Sequence, residues 1–336
     1  MRTTIKDIAE KTNLSITTVS LVLNNRPNKI AEKTKQKIFK AAEELNYIPN
    51  QVARAMVKNE INIIGLILPD IRNTFFADMA KGVENEARLF NYRTMLCDTD
   101  NDNEKIYQYL EMLYQNGVRD VIVGDSDSGL VNPKMFQMIE NFNMNAVFID
   151  QTFEREDASC ISVDNQKGGY LAAEHLAGLG HKKIGCIAGG QYSGDSMERL
   201  EGFKAGLKKH GIELADSLIY HGNYTLESGI ECAEKLLNQD VTAIFAFNDM
   251  MALGIMQVAA EKGTKIPEDV SIVGFDDILF SRFFPVPLTT VSQPVLEMSR
   301  EAVKLLITGS TRDEYKAGHI LFQPELIIRD STKKIS

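Results

Sequence analysis

Polar side chains follow several apolar runs of this chain, at the point where each run ends. Asp150 comes directly after the run 146–149, Asn248 directly follows another run, and Asp276 lies just beyond a third. Carboxylate and amide side chains exchange hydrogen bonds with polar ligand groups. If the runs are parallel strands, ligands bind outside their carboxyl ends. The sequence therefore predicts a polar ligand site at these positions.

The elements that would position these residues begin at residue 62, where apolar runs alternate with amphipathic helical patterns. This alternation is typical of parallel sheets with helices on both faces. The runs lie at 63–68, 92–97, 118–123 and 146–149, then at 183–188, 218–220, 243–247 and 270–274, with late strands near 289–291 and 326–328. We predict an α/β core of two doubly wound lobes with a cleft between them.

The first part of the chain has a different pattern, made of short helices. Thr4 can cap a first helix, with Asp7 three residues later as its capping-box partner. After a turn, Ser15 can cap a second helix, in which Val19 and Val22 share a face that packs on the first. The second helix then turns these side chains outward: Thr17, Ser20, Leu21 and Asn24.

A third helical pattern covers residues 31–45, and a shorter one follows at 50–56, too short to be stable alone. Two short helices joined by a tight turn, with small polar side chains outward, are typical of a helix-turn-helix. Residues 1–60 carry 11 Lys and Arg against 6 Asp and Glu, whereas the remainder carries 26 against 40. A basic head on an acidic body indicates phosphate binding by the head.

The composition limits the class of protein. The 336 residues are 44% hydrophobic and 25% charged, as in ordinary globular proteins of two or three compact units. No apolar window approaches the roughly 18 residues of a membrane span, and no secretory pattern begins the chain. We expect a cytoplasmic protein without membrane contact. The four cysteines and five histidines lack metal-ligand spacing, so we predict no metal site and no cofactor.

Two other classes of two-lobed protein fit less well. Neither GxGxxG nor GxxxxGK[ST] occurs, and there is no GxSxG nucleophile elbow. We therefore predict no catalytic residues and no enzyme. A transport-type sugar-binding protein would share the two lobes, but it would need a signal peptide and would lack the basic head.

Several short motifs occur along the chain in a fixed order. They are TIKDIA at 4–9, SITTVSLVLN at 15–24, LNYIPN at 45–50, GLGH at 178–181, RLEGF at 199–203, FNDMMALG at 247–254 and VGFDD at 273–277. Together they resemble the lactose-repressor/galactose-repressor (LacI/GalR) family of bacterial transcription regulators, over nearly the whole length. The resemblance implies a core similar to periplasmic sugar-binding proteins, a small effector in its cleft, and a homodimer that reads a pseudo-palindromic double-stranded operator.

The resemblance also divides the chain. Residues 1–48 would form the helix-turn-helix head, 49–60 the hinge helix and linker, and 61–330 the effector-binding and dimerisation core. Within the core, one lobe would comprise about 61–160 and 291–322, and the other about 161–290 and 323–330. No heptad pattern follows, so a dimer rather than a tetramer is expected.

By the same resemblance, the head would supply the DNA contacts. Thr4, Ser15 and Asn24 would contact the phosphate backbone of the DNA. Side chains of the second helix would contact the edges of the bases. The residues assigned to base edges are Ile16, Thr17, Ser20 and Leu21, and Thr18 is counted among the DNA-binding residues without an assigned contact. The family usually has Arg where this chain has Leu21, and an Arg reads guanine through O6 and N7. We predict that discrimination at the base pair that faces Leu21 is lower than for an Arg at this position, by on the order of 1 to 3 kcal/mol.

The hinge would add four DNA-binding residues: Asn50, Ala53, Arg54 and Met56. Met56 stands where family members commonly place a Leu that wedges between base pairs in the minor groove. Met is apolar and flexible enough to do the same; the alternative is a solvent-facing residue without a role. A second departure is Ala31, where a Ser or Thr cap would be expected before the third helix.

For the effector, the resemblance assigns eight side chains: Phe75, Phe76, Asp150, Arg199, Tyr224, Asn248, Asp276 and Gln293. Arg199 and Asp276 would hold neighbouring hydroxyls, because a guanidinium donates and a carboxylate accepts. Asp150 and Asn248 would add polar contacts, and Gln293 would close the far side. The aromatic residues would supply apolar faces or simply pack in the core. A sugar suits this set, while a sugar phosphate or a nucleobase stays open, as does the choice between induction and corepression.

Overall fold

The computed structural model of the chain describes residues 3–23, 29–47, 61–124, 132–150, 158–191, 193–309 and 318–335. The chain divides into two compact units, Met1–Ile61 and Asn62–Ser336. Within the described ranges, no helix has both the length and the apolar character needed to cross a membrane.

The described residues of the first unit form three helices, which together are called the head. Its helices are α1 (Ile5–Thr12), α2 (Ile16–Leu23) and α3 (Glu32–Glu44). Each helix contributes one fully buried side chain to the core of the head, Ile8, Val19 and Ile38 respectively. The apolar face predicted for the second helix, which includes Val19 and Val22, is therefore the face that packs.

Both N-caps predicted in the head are present. The backbone N of Thr4 donates to Asp7 Oδ2 at 2.7 Å, and the backbone N of Asp7 donates to Thr4 Oγ1 at 3.4 Å, which completes the capping box. Ser15 Oγ accepts from the backbone N of Thr18 at 3.0 Å. Helix α3 lacks such a cap because Ala31 has no side-chain oxygen. The predicted hinge, 49–60, lies outside the described residues.

The described residues of the second unit form two sheets, and each sheet is the centre of one lobe. The N-lobe sheet is entirely parallel, in the order β11-β5-β4-β3-β1-β2. Its strands are β1 (Ile63–Leu68), β2 (Arg93–Asp98), β3 (Asp120–Gly124), β4 (Asn145–Ile149), β5 (Ser159–Val163) and β11 (His319–Phe322). The helices of this lobe are α4 (Thr74–Leu89), α5 (Asn103–Gln115), α6 (Pro133–Asn141) and α11 (Val295–Thr308).

The C-lobe sheet has the order β12-β10-β9-β8-β6-β7, and its neighbours are parallel except for the antiparallel pair β10 and β12. Its strands are β6 (Ile184–Ala188), β7 (Ile219–His221), β8 (Ala243–Ala246), β9 (Ser271–Asp276), β10 (Thr289–Ser292) and β12 (Glu325–Ile327). Its helices are α7 (Asn165–Gly178), α8 (Gly194–Lys209), α9 (Leu226–Leu236) and α10 (Asp249–Lys262). Two doubly wound lobes, as predicted, make up this unit.

The chain changes lobe later than the predicted limits. The limits at 160/161 and 290/291 fall inside β5 and β10, and each of these strands stays in the sheet of the preceding segment. Strands β5 and β11 were also not predicted. Ser159 and Ser162 break the apolar character of β5, although the whole strand is buried. The chain therefore crosses between lobes after β5, after β10, and between β11 and β12.

Candidate functional site

Arg199 is the central cation of the C-lobe face of the cleft. Its Nε donates to Asn165 Oδ1 at 2.8 Å, and its Nη1 donates to the backbone O of Phe247 at 2.6 Å. The guanidinium carbon lies 3.8 Å from the centre of the Phe275 ring. Because Arg199 is only 2% exposed, this guanidinium is fixed in place before any ligand arrives.

The packing of α7 on α8 explains how Asn165 reaches Arg199. Two glycines allow the backbones of these helices to touch. A Cβ on Gly202 would overlap the backbone O of Gln166, and a Cβ on Gly169 would overlap the backbone O of Arg199. Larger residues at these positions would push the helices apart, so the glycines hold Asn165 within reach of the guanidinium.

Asp195, one helical turn before Arg199, belongs to the site and was not predicted from the sequence. Its Oδ2 accepts from Tyr224 Oη at 2.8 Å and lies 3.7 Å from Arg199 Nη2. Its other oxygen accepts from Ser193 Oγ. Burial and the charge of Asp195 raise the pKa of Tyr224 well above its ordinary value, so the phenol stays a donor. An acid and a base at i, i+4 on one helix are the signal that could have identified this pair.

Asp276 is held at the end of β9 by the neighbouring strand. Gln293 Nε2 donates to Asp276 Oδ1 at 2.8 Å, and the backbone of Asp276 has a left-handed φ of 107°. Asp249 supports this turn, since its carboxylate accepts from Ile278 N at 2.9 Å and from Thr290 Oγ1 at 2.6 Å. Burial raises the pKa of Asp276 well above its usual range, and burial also raises the pKa of Asp249, to about 7.

Asn248 has both halves of its amide occupied by protein groups. Its Nδ2 donates to the backbone O of Tyr224 at 2.9 Å, and its Oδ1 accepts from the backbone N of Met251 at 2.9 Å. The side chain thus caps α10 and holds the Tyr224 backbone in place. The direct ligand contact assigned to Asn248 stays a prediction.

The N-lobe contributes Asp150, which follows β4 with a left-handed φ of 62°. Its side chain is buried, and Oδ1 has no hydrogen-bond partner among the described residues. Burial and then the charge of Asp195 raise the pKa of Asp150 to about 7, against the opposing effect of Arg199. Phe75 and Phe76 begin α4 and pack edge to face with ring centres 5.2 Å apart, in the N-lobe core. Their contact with a ligand stays a prediction.

Two other acids that follow strands have structural partners instead. Asp70, beyond β1, pairs with Arg72 at 2.8 Å. Asp277, next to Asp276, pairs with Arg329 at 2.6 Å. Both carboxylates are therefore tied to cations of their own lobe, which explains why position after a strand does not by itself mark a ligand residue.

In the head, the predicted DNA-binding residues of α2 differ in exposure. Ile16 and Thr17 are exposed, while Ser20 and Leu21 are half-buried. Thr18 Oγ1 lies 2.8 Å from Ser15 Oγ, so it takes part in the N-cap of the helix. The remaining predicted DNA-binding residues lie outside the described parts of the chain: Asn24, Asn50, Ala53, Arg54 and Met56.

The described segments contain no group of three His, Cys, Asp or Glu side chains that could hold a metal ion. The four cysteines, Cys97, Cys160, Cys186 and Cys232, are buried free thiols. Burial raises the pKa of Cys97 to about 11 and that of Cys186 to about 12, so both stay protonated and unreactive.

Comparison with known proteins assigns the chain to a family. Residues 4–50 match bacterial regulatory proteins of the lacI family, and residues 173–332 match the periplasmic binding protein-like domain. Over 338 residues, covering 100% of both chains, the sequence is 36% identical to the HTH-type transcriptional regulator DegA of Bacillus subtilis (strain 168). The chain belongs to the lacI family.

Solved structures of similar proteins support this assignment. A lac repressor dimer bound to operator and the anti-inducer ONPF has a TM-score of 0.87 at 27% identity, covering 99% of this chain and 100% of the other. A complex of the transcriptional regulator CelR with cellobiose has a TM-score of 0.74 at 26% identity, covering 98% and 100%. This lacI-family protein is a DNA-binding transcriptional regulator and not an enzyme, and the predicted family and fold class are confirmed.

Proposed function

We propose that a small polyhydroxylated molecule, a sugar, binds between the two lobes of this lacI-family regulator and controls its binding to operator DNA. The main support is a pair of buried acceptors without partners among the described residues, Asp150 Oδ1 and Gln293 Oε1. Nearly all buried polar groups in proteins have hydrogen-bond partners, and sugar hydroxyls would donate to both. Arg199 and Asp276 would hold further hydroxyls from the C-lobe.

Charge argues against a sugar phosphate as the effector. Asp150, Asp195 and Asp276 are all buried around the guanidinium of Arg199. A phosphate would gain one cation but would meet three carboxyl groups, and like charges at short range repel strongly in a buried site.

A weaker argument applies to a nucleobase, which would need an aromatic face to stack on: Phe275 and Tyr224 are each already covered on one side by protein groups. Arg199 covers one face of Phe275, and the Tyr224 ring packs so closely on Gly189 that a Cβ there would overlap it. The CelR neighbour, at 26% identity, was solved with cellobiose, whereas a 36% identical relative is the HTH-type transcriptional repressor PurR of Haemophilus influenzae (strain PittEE). A nucleobase is kept as one outcome of the ligand screen.

A thermal-shift screen of the full chain against sugars, sugar phosphates and nucleobases tests this proposal. A ligand at 100 times its Kd stabilises the protein by roughly 2.7 kcal/mol. We expect hits among the sugars, lost in Asp276→Asn and kept in Asp120→Asn, a control at the opposite end of the N-lobe sheet, where Asp120 bonds Asn145. Hits confined to phosphates or nucleobases would overturn the sugar assignment.

We further propose that a homodimer binds a pseudo-palindromic operator in the cytoplasm, where that DNA lies. A ligand that prefers one lobe arrangement would shift the dimer between DNA-binding states. Moving a population from 1:99 to 99:1 needs about 5.5 kcal/mol of differential binding, shared over two sites. Light scattering at low protein concentration should give a dimer mass, and a tetramer mass would contradict it. DNA titrations with and without the effector give the sign of regulation.

The DNA-reading half of the proposal depends on α2. Thr17, Ser20 and Leu21 would face base edges, and Leu21 offers only apolar contact, for example to a thymine methyl. We expect site selection with wild type and Leu21→Arg to yield different bases at one position of each half-site. The difference in discrimination there should be on the order of 1 to 3 kcal/mol. Identical preferences from both proteins would contradict the placement of residue 21.

A further inference from the structure

The cleft has more acidic groups than cationic ones. Asp150 comes from the N-lobe, and Asp195 and Asp276 come from the C-lobe; all three are at most 8% exposed. Among the described residues around them, Arg199 is the buried cation. The groups that act electrostatically on Asp150 are Asp195, Arg199 and Glu198, and Asp276 is likewise coupled to it.

The three carboxyl groups are compensated to different degrees. Asp195 is the best supplied, because it accepts from Tyr224 and Ser193 and lies 3.7 Å from Arg199 Nη2. Asp276 accepts on one oxygen from the neutral amide of Gln293. Asp150 has no donor to its Oδ1 within the described part of the chain. With the guanidinium next to Asp195, Asp150 and Asp276 lack a cation of their own.

An uncompensated buried carboxylate is costly, and proteins avoid it by taking up a proton or by pairing the charge. The structure favours the uptake of a proton, since burial raises the pKa of Asp150 to about 7 and that of Asp276 well above its usual range. A ligand that carries a positive charge would open the second route. It would also relieve the repulsion between carboxylates that belong to opposite lobes.

We propose that the ligand of this cleft is a polyol bearing a basic nitrogen, of the amino sugar class, whose ammonium group lies between Asp150 and Asp276. The inference rests on the proposed function, that a sugar binds between the lobes, and it adds the charge of that sugar. The ammonium group donates to Asp150 Oδ1, and a neighbouring hydroxyl donates to Gln293 Oε1, the second buried acceptor without a partner in the described residues.

Because the ligand is positively charged, its binding should release a proton from the buried carboxyl group of Asp150. When the ammonium group enters, Asp150 ionises to pair with it and releases its proton to solvent, while Asp276 contributes a hydrogen bond. Affinity therefore rises with pH through the region near 7 where Asp150 titrates, and it falls once the amine of the ligand loses its own proton. A neutral sugar donates hydroxyls to either form of the carboxyls and releases few protons.

Isothermal titration of the full chain with D-glucosamine and D-galactosamine, their neutral parent sugars and their N-acetyl derivatives tests the inference. The N-acetyl compounds keep the hydroxyls but carry no charge. We expect an amine to bind at least tenfold more tightly than its parent and its acetylated form at about pH 7. Asp150→Asn should abolish that preference, whereas Asp120→Asn, a half-buried acid at the far end of the N-lobe sheet, should keep it.

Repeating the wild-type titration in two buffers of different ionisation enthalpy counts the protons released, so the test does not depend on the folding of a variant. Net proton release with the amine and none with the neutral parent supports the inference. A neutral parent that binds as tightly as its amine overturns it while leaving the sugar proposal in place. Binding by no member of the six overturns the inference, and the thermal-shift screen then decides the sugar proposal separately. A preference unaffected by Asp150→Asn overturns the placement of the ammonium group.

Discussion

The two walls of the cleft are built in opposite ways. On the C-lobe wall, Arg199, Asp195 and Asp276 are each tied to donors or acceptors close by. On the N-lobe wall, Asp150 is a buried carboxyl with an oxygen that no described residue satisfies, beside the apolar N-lobe core that holds Phe75. The charged groups of the first wall therefore all have protein partners, although Gln293 Oε1 has none among the described residues, whereas the carboxyl of the second wall is itself unsatisfied.

This difference separates two tasks of a ligand-controlled regulator. Side chains that are already fixed lose little further rotamer freedom when a ligand binds, so they set its orientation at low cost. A switch also needs a free energy difference between its states when ligand is present, which fixed contacts on one lobe alone do not supply. Under the proposed function, the unsatisfied carboxyl of the N-lobe would supply it, because its partner would arrive with the ligand.

Removing the central cation of the C-lobe wall should have the largest effect. Arg199→Ala leaves Asp195 without its ion-pair partner and Asn165 without its donor, and it removes the positive charge that acts on Asp276 from a distance. We expect the free energy of unfolding to fall by about 3 to 5 kcal/mol, as when one partner of a buried ion pair is removed. Urea denaturation at neutral pH measures it, with the exposed Arg88→Ala as control. A loss below about 1 kcal/mol would mean that this wall is not rigidly built.

Removing the charge of Asp150 on the N-lobe wall should raise the stability instead of lowering it, by an amount that depends on pH. The pKa of Asp150 rises from 3.8 to about 7 on folding, so its contribution to stability is complete below about pH 4 and is lost as the pH rises to about 7. One pKa unit corresponds to about 1.4 kcal/mol. The rise of about three pKa units therefore makes Asp150→Asn more stable than wild type at about pH 8 by up to about 4 kcal/mol, with the gain shrinking toward pH 4. Denaturation curves at both pH values measure this, and a gain independent of pH would contradict the buried, unpaired state of Asp150.

Removing the hydroxyl of Tyr224, which donates to Asp195 on the C-lobe wall, should have a smaller effect. Tyr224→Phe removes one of the donors to Asp195, while Ser193 and Arg199 remain. We expect about 1 kcal/mol of lost stability and a roughly fivefold weaker Kd for whichever sugar binds. Calorimetric titration measures the affinity, and Tyr220→Phe, whose hydroxyl accepts from exposed Gln239, is the control. An unchanged Kd would mean that Asp195 does not orient the ligand site.

A strand could be predicted from the sequence when its buried side chains are continuously apolar, but not when polar side chains interrupt them. β1 occupies the predicted run 63–68, because its side chains are continuously apolar and buried between helices. β5 is buried along its whole length as well, but Ser162 replaces apolar contact by a hydrogen bond to His319 of β11. That partner lies 157 residues away, so neither strand carried a local signal.

The site could be predicted where its residues follow strands and not where they lie on helices. Position after a strand singled out Asp150 and Asp276, but it could not separate them from Asp277, whose partner Arg329 is 52 residues distant. Asp195 was missed because it lies in the first turn of α8, away from any strand end. Assigning such residues needs the tertiary partners, which pattern alone does not give.

The crossing between β11 and β12 has a consequence for how the regulator is made. β11 completes the edge of the N-lobe sheet and β12 completes the edge of the C-lobe sheet, with two residues between them. Each pairs with a strand formed far earlier in the chain, β5 and β10 respectively. A ribosome must therefore pass residue 322 before the N-lobe sheet has its last strand and residue 327 before the C-lobe sheet has its last strand. Until then the nascent chain exposes two open sheet edges.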